Sequence, residues 1–243
     1  MTQSTYLRYE VLRNFRNFRF FFLALAFPLV LYFAVTSANR HTSFNGISFP
    51  LYFMVAMATL GTMAGVLSSA AIIAAERSSG WTRQMRITPL GTGAYFGAKV
   101  VNAYLRALLT IVLMCLAGTA FGVRLSATGW LTVGGLLLVG LIPFTVLGVL
   151  LGHVISPDAS ALAVGGIVTL FSLLGGVYGF QIATSGAMFD FMKALPSYWL
   201  VQAGKTALRG GGWPAEAWIV VAAWTAVLAA AAVTVYRRDT SRV

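Results

Sequence analysis

Long apolar runs separated by short polar links set the pattern of this chain. Six runs stand out, at about 20–37, 49–74, 99–122, 130–152, 160–182 and 216–236. A helix needs about 20 apolar residues to cross the roughly 30 Å hydrocarbon core of a bilayer, and each run approaches or exceeds that length. The second, fourth and fifth contain no Asp, Glu, Lys or Arg, and the sixth has only Glu216, at its first position. The pattern predicts an all-α integral membrane protein with six transmembrane helices. The spans and their links consume nearly all of the 243 residues, so a single transmembrane domain over 1–243 is expected. The first run is too long, and lacks the small-residue cleavage motif, for a leader peptide, so it is read as a retained span.

The links add detail. Over 1–19, Leu7, Val11, Phe15 and Phe18 share one helical stripe, with Arg8, Arg16 and Arg19 on the neighbouring arc. That combination predicts an interfacial helix. Spans one and two follow over 20–74, a basic segment over 75–90, and spans three to five over 99–182. The link at 183–214 is too long for a turn, and neither half is long enough to span. "AMFDFMKAL" and "YWLVQAGKTAL" both have helical spacing, Pro196 interrupts them, and Gly210, Gly211 and Gly212 close the segment. Two short helices near the outer face are predicted there, before the last span at 216–236. Glycines four apart, such as Gly61 with Gly65 and Gly148 with Gly152, allow close helix approach. Pro28 and Pro143 lie inside spans and are expected to kink them.

Composition agrees. The chain is 58% hydrophobic and 9% charged, against roughly a quarter charged in a soluble domain. Its net charge of +11 is read as topology and not as a nucleic-acid surface. With the N-terminus inside, eleven Lys and Arg fall on the cytoplasmic side, five fall outside, and Arg106 lies within a span. The positive-inside rule then places both termini in the cytoplasm. All six acidic residues, Glu76 among them, sit at span ends or in links, which argues against an ion-coupled carrier. His41 and His153 fall at opposite faces, so they form no joint metal or haem site, and Cys115 has no partner for an internal disulfide. The nearest approach to a phosphate loop, "GAYFGAKV", has the wrong spacing and lacks the Ser or Thr after Lys99. No cofactor or metal is expected in this chain, and any uphill transport needs work supplied by another protein.

The segment at 75–90 carries the candidate site. Glu76 and Arg77 anchor the end of span two, and Gly80 permits a change of direction. From Trp81 to Ile87 the spacing is helical: Trp81 and Met85 share a face, Arg83 and Arg86 another, and Pro89 biases Thr88 out of the helix. A short rod across the membrane surface with a Trp–Met edge suits a groove on a protein partner. A positive-inside loop with Trp81 among the headgroups is the alternative. Arg106, seven residues after Lys99, either snorkels to the interface or pairs with Glu76.

"ERSSGWTRQMRITPL" resembles the loop between spans two and three of type-2 ABC exporter permeases, roughly E-R-E-x-G-T-x-x-x-L-R-x-T-P. Glu76, Arg77, Gly80, Arg86, Thr88 and Pro89 match, whereas Ser78, Trp81 and Met85 depart. "LPSYWLVQAGKTALRGG" is similar to the outer link of the same family, most like the small permeases of drug, antibiotic or lipid export, daunorubicin-resistance types among them. The resemblance implies a bacterial plasma-membrane transport subunit, not an enzyme, working with a second permease copy or close relative. It also implies two cytoplasmic ATP-binding subunits, which hold ATP and Mg. Glu76, Arg77, Gly80, Trp81, Arg83, Met85, Arg86, Thr88 and Pro89 would then form the ATPase-coupling segment. Phe49, Phe53 and Met57 of span two, with Phe171, Leu174, Tyr178 and Gln181 of span five, would line the path of an amphipathic or hydrophobic cargo. A non-transporting membrane scaffold or membrane-embedded enzyme is the competing class.

Overall fold

The computed structural model describes residues 18–44, 46–81, 92–178, 185–209 and 211–240. The predicted interfacial helix therefore lies almost wholly outside the described residues, as do the tip of the basic segment and Gln181. The described chain is helical except for one two-stranded hairpin. In order the elements are α1 (Phe18–Ala38), β1 (Ser43–Phe44), β2 (Ile47–Ser48), α2 (Phe49–Leu67), α3 (Ser69–Ser78), α4 (Thr92–Ala120) and α5 (Ala127–Gly140). There follow α6 (Ile142–Val154), α7 (Pro157–Gly175), α8 (Ala187–Lys193), α9 (Pro196–Arg209) and α10 (Ala215–Thr240).

Among the described residues, five stretches are long and apolar enough to cross a bilayer: Phe49–Ser78, Tyr95–Ala120, Ala127–Val154, Pro157–Gly175 and Ala215–Val235. Leu25–Ala38, within α1, is a shorter apolar stretch. The helices overrun the expected bounds at the basic segment, since α2 and α3 run on to Ser78 and α4 starts at Thr92. Of the two prolines expected to kink spans, Pro143 sits in the first turn of α6, just after the break at Leu141, whereas Pro28 lies inside an unbroken α1. At its start α6 loses little by having proline, because first-turn N–H groups have no partner within the helix.

Local sequence sets the helix ends. Ser126 and Ser156 accept from the backbone N–H groups of Gly129 and Ala159, capping α5 and α7. Pro157 occupies the first turn of α7, and Gly176 ends it in the left-handed region at φ 78°. Val177 N–H donates back to the Ser172 carbonyl at 2.9 Å, closing that cap. The hairpin pairs Phe44 with Ile47, and Gly46 at φ 77° takes the left-handed backbone that glycine favours.

The α2 helix is the axis of the bundle. It packs on α1, α4, α6, α7 and α9, and all but two of its residues are buried. That environment suits a helix with apolar and small residues on every side. The Pro196–Arg209 helix enters the bundle, packing against α5, α2 and α7, with Leu200 and Ala203 fully buried. By contrast α10 leans mainly on α6 and leaves Ile219, Val227 and Val233 exposed, as the lipid-facing side of a span requires. Glycines set the closest approaches. A Cβ on Gly152 would stand 2.6 Å from Ile73 Cβ, and one on Gly148 would stand 2.7 Å from Ser69 Oγ. The Gly148–Gly152 pair thus serves contact between α6 and α3 within this chain.

Candidate coupling site

The end of α3 and the start of α4 meet below the bundle, on either side of the basic segment. Glu76 lies in the last turn of α3 and is only 7% exposed. Its two carboxylate oxygens have separate donors. Lys99 Nζ approaches Oε1 at 2.6 Å, and the Tyr95 hydroxyl donates to Oε2 at 2.6 Å. Lys99 is 3% exposed, and its ammonium also lies 5.1 Å from the centre of the Tyr95 ring. Tyr95 and Lys99 are four residues apart on α4 and so share a face. Placing both charges out of water is costly, and it is sustained by short geometry and by satisfying both oxygens.

The neighbouring residue fastens a third helix. Arg77 Nη1 donates to the Gly152 carbonyl at 3.1 Å, near the C-terminus of α6, where a cation also meets the negative end of the helix dipole. After Ser78 the chain turns: Ser79 N–H donates to the Ala75 carbonyl, and Gly80 has φ 73°. A side chain in that left-handed backbone would be strained, so glycine suits the position. Trp81, the last residue described before Thr92, is 37% exposed. Arg83, Met85, Arg86, Thr88 and Pro89 lie outside the described residues.

Of the two alternatives for Arg106, snorkelling or pairing with Glu76, the structure does not bear out the pairing. Lys99 and Tyr95 meet the carboxylate, while Arg106 Cβ lies 4.0 Å from a Cβ placed on Gly65. Gly65 precedes Glu76 by eleven residues, roughly 16 Å along the helices, beyond the reach of an arginine side chain. The spacing of Tyr95 and Lys99 was a signal present in the sequence. It was hidden because Lys99 was counted only as a charge flanking span three.

The residues expected to line a transport path, where described, sit as follows. Met57 has no exposed surface, and Phe53 is buried beside Tyr32, their rings stacked 6.2 Å apart. Phe49 is half-buried and stacks on Phe53 at 5.3 Å. On α7, Phe171 packs edge-on against Phe144 at 5.1 Å and against Trp224 at 6.0 Å. Leu174 and Tyr178 are half-buried, the latter just past the helix. Tyr52, also on α2, donates to the Gly176 carbonyl and so ties α2 to the α7 cap.

These features define a helical integral membrane protein whose basic segment is bracketed by a buried ion pair. Its similarity to known proteins points the same way. YvfS of Bacillus subtilis (strain 168), which carries the provisional name of a transport permease, is 26% identical over 209 residues, covering 83% of this chain and 83% of its own length. That likeness supports the resemblance to type-2 ABC permeases drawn from residues 76–90. No protein-family model matches the chain.

Proposed function

We propose that this chain is the transmembrane permease subunit of an ABC exporter, with six spans and both termini in the cytoplasm. It works as two copies, or one copy with a close relative, alongside two cytoplasmic subunits that bind ATP and Mg. Its cargo is a hydrophobic or amphipathic compound, of the drug, antibiotic or lipid classes. The observation that carries this reading is the clasp of Glu76, Tyr95 and Lys99 at the base of the basic segment. A loop pinned at both ends to membrane helices passes a push into them, whereas a slack loop absorbs it. The Arg77 contact with the end of α6 extends that push to a third helix. Trp81 and Arg86 meet the ATPase, and movement of α3, α4 and α6 opens the route for cargo.

The test is co-purification with an ATP-binding subunit and reconstitution of both in vesicles. Trp81→Ala and Arg86→Ala are expected to leave membrane insertion unchanged while transport falls at least about tenfold per ATP hydrolysed, the loss of one docking anchor. Transport at the normal ratio in both variants would refute the docking role. Uphill transport by this chain reconstituted alone would refute the ABC reading as a whole.

A further inference from the structure

A cavity of about 390 Å³ lies between α4, α6 and α10. Its walls include Phe96 of α4, Thr145, Val149 and His153 of α6, and Ala232 and Val233 of α10. The two polar groups are turned into the backbone. The Thr145 hydroxyl donates to the Leu141 carbonyl at 2.9 Å, and His153 Nδ1 donates to the Val149 carbonyl at 2.8 Å. What faces the cavity is therefore almost wholly alkyl and aromatic, and Val233, 50% exposed, lies at its side.

Size restricts the occupant. From Thr145 to His153 the groove follows α6 for eight residues, about 12 Å. That is close to one leaflet's share of the roughly 30 Å hydrocarbon core. Spread along this length, the volume gives a mean cross-section of roughly 30 Å². A helix with side chains, about 10–12 Å across, does not fit such a slot. A single alkyl chain does.

Charge restricts it further. The α10 helix runs on through Thr240, and the sequence places Arg237 and Arg238 in the turn after Val233. Arg237 is four residues beyond Val233, one helical turn further along the same side of the backbone. We infer that this groove holds one acyl chain of an anionic phospholipid from the cytoplasmic leaflet, with its phosphate at the Arg237–Arg238 turn. The leaflet assignment rests on the topology given under Proposed function. The lipid touches α4 and α6, the helices that carry Lys99 and the carbonyl held by Arg77. It is a wedge that supports the clasp from behind.

Photolabelling of the full chain in lipid nanodiscs tests this, using phosphatidylglycerol or phosphatidylcholine probes with a diazirine in the acyl chain. Peptides of α6 and α10 should take at least about fivefold more label from the anionic probe, the ratio expected for one arginine at a headgroup. Ala232→Trp and Val149→Trp, which fill the groove from opposite walls, should each cut that label about tenfold, since the slot has room for one chain only. Labelling around Leu131, a lipid-exposed position elsewhere, should persist in both variants and so reports that each is folded in the membrane. Unlabelled phosphatidylglycerol should compete. Equal labelling by the two probes, or undiminished groove labelling in the tryptophan variants, would overturn the inference. So would competition by a neutral apolar dye but not by phosphatidylglycerol. The experiment needs no ATPase, so its failure leaves the exporter reading standing, and failure of Trp81→Ala to uncouple leaves the lipid site standing.

Discussion

Replacing Lys99 with Met keeps the length and packing of the side chain but removes its charge. Glu76 then stays buried with the Tyr95 hydroxyl as the remaining described donor. Removing one partner of a buried ion pair costs up to about 3–5 kcal/mol, because the other charge loses a close counter-ion. The 2.6 Å contact and side-chain exposures of 2% and 8% put this pair in that class. The double variant Glu76→Gln with Lys99→Met removes both charges of this pair, and the amide oxygen it introduces still accepts from Tyr95. It should fall within about 1.5 kcal/mol of the parent, since neutral replacement of a buried pair is often nearly free. An internal comparison exists in Lys193–Glu216, 4.0 Å apart with side chains 31% and 53% exposed. Lys193→Met should cost no more than about 1 kcal/mol.

The assay is the fraction of detergent-solubilised protein that survives a temperature series on size exclusion. By the usual relation for chains of this size, Lys99→Met should lower the apparent midpoint by roughly 10 °C. The double variant should recover most of that loss. A double variant as unstable as Lys99→Met would refute the reasoning, as would a Lys99→Met protein as stable as the Lys193→Met control. The stable double variant also isolates the mechanical role: with the clasp neutral and weaker, transport per ATP should fall although the fold survives.

Two further outcomes follow from the packing. Gly152→Val places a Cβ where Ile73 Cβ is 2.6 Å away and the Ala70 carbonyl 3.1 Å away, so α3 and α6 must separate. It should destabilise by at least about 1–3 kcal/mol, whereas Gly165→Ala, with nothing within 4 Å, should leave the same melting assay unchanged. Gly176→Ala puts a Cβ into left-handed backbone at φ 78° and should cost about 1–2 kcal/mol, read as earlier loss of the monodisperse peak.

Much of the secondary structure was legible because hydrophobic runs and punctuation are local. The lengths of uncharged sequence at 49–74, 130–152 and 160–182 announced membrane helices, since no soluble fold needs such runs. Pro157 and the serines before α5 and α7 fix helix starts from within one turn, a local signal that the hydrophobic runs alone did not bring out. The hairpin of β1 and β2 was passed over, its two-residue strands being too short to show a period. Residues 76–90 drew attention for the same local reason: charge is conspicuous in an apolar chain.

Pairing across the chain was not legible. From sequence, Arg106 was the partner offered for Glu76, and charge alone gave no reason to prefer Lys99. The level at which α3 meets α4 chose Lys99, and it set Arg106 beside Gly65, too far up the bundle. In the same way, the spacing of Phe53 and Met57 gave one helix face, but only the packing of five helices around α2 decided that this face is core. Apolar patterning thus determined that the chain folds into membrane helices. Which helix covers which, and hence which charges become a buried clasp and which apolar walls enclose a groove, depends on contacts between residues distant in sequence, where one dimension carries no record of distance.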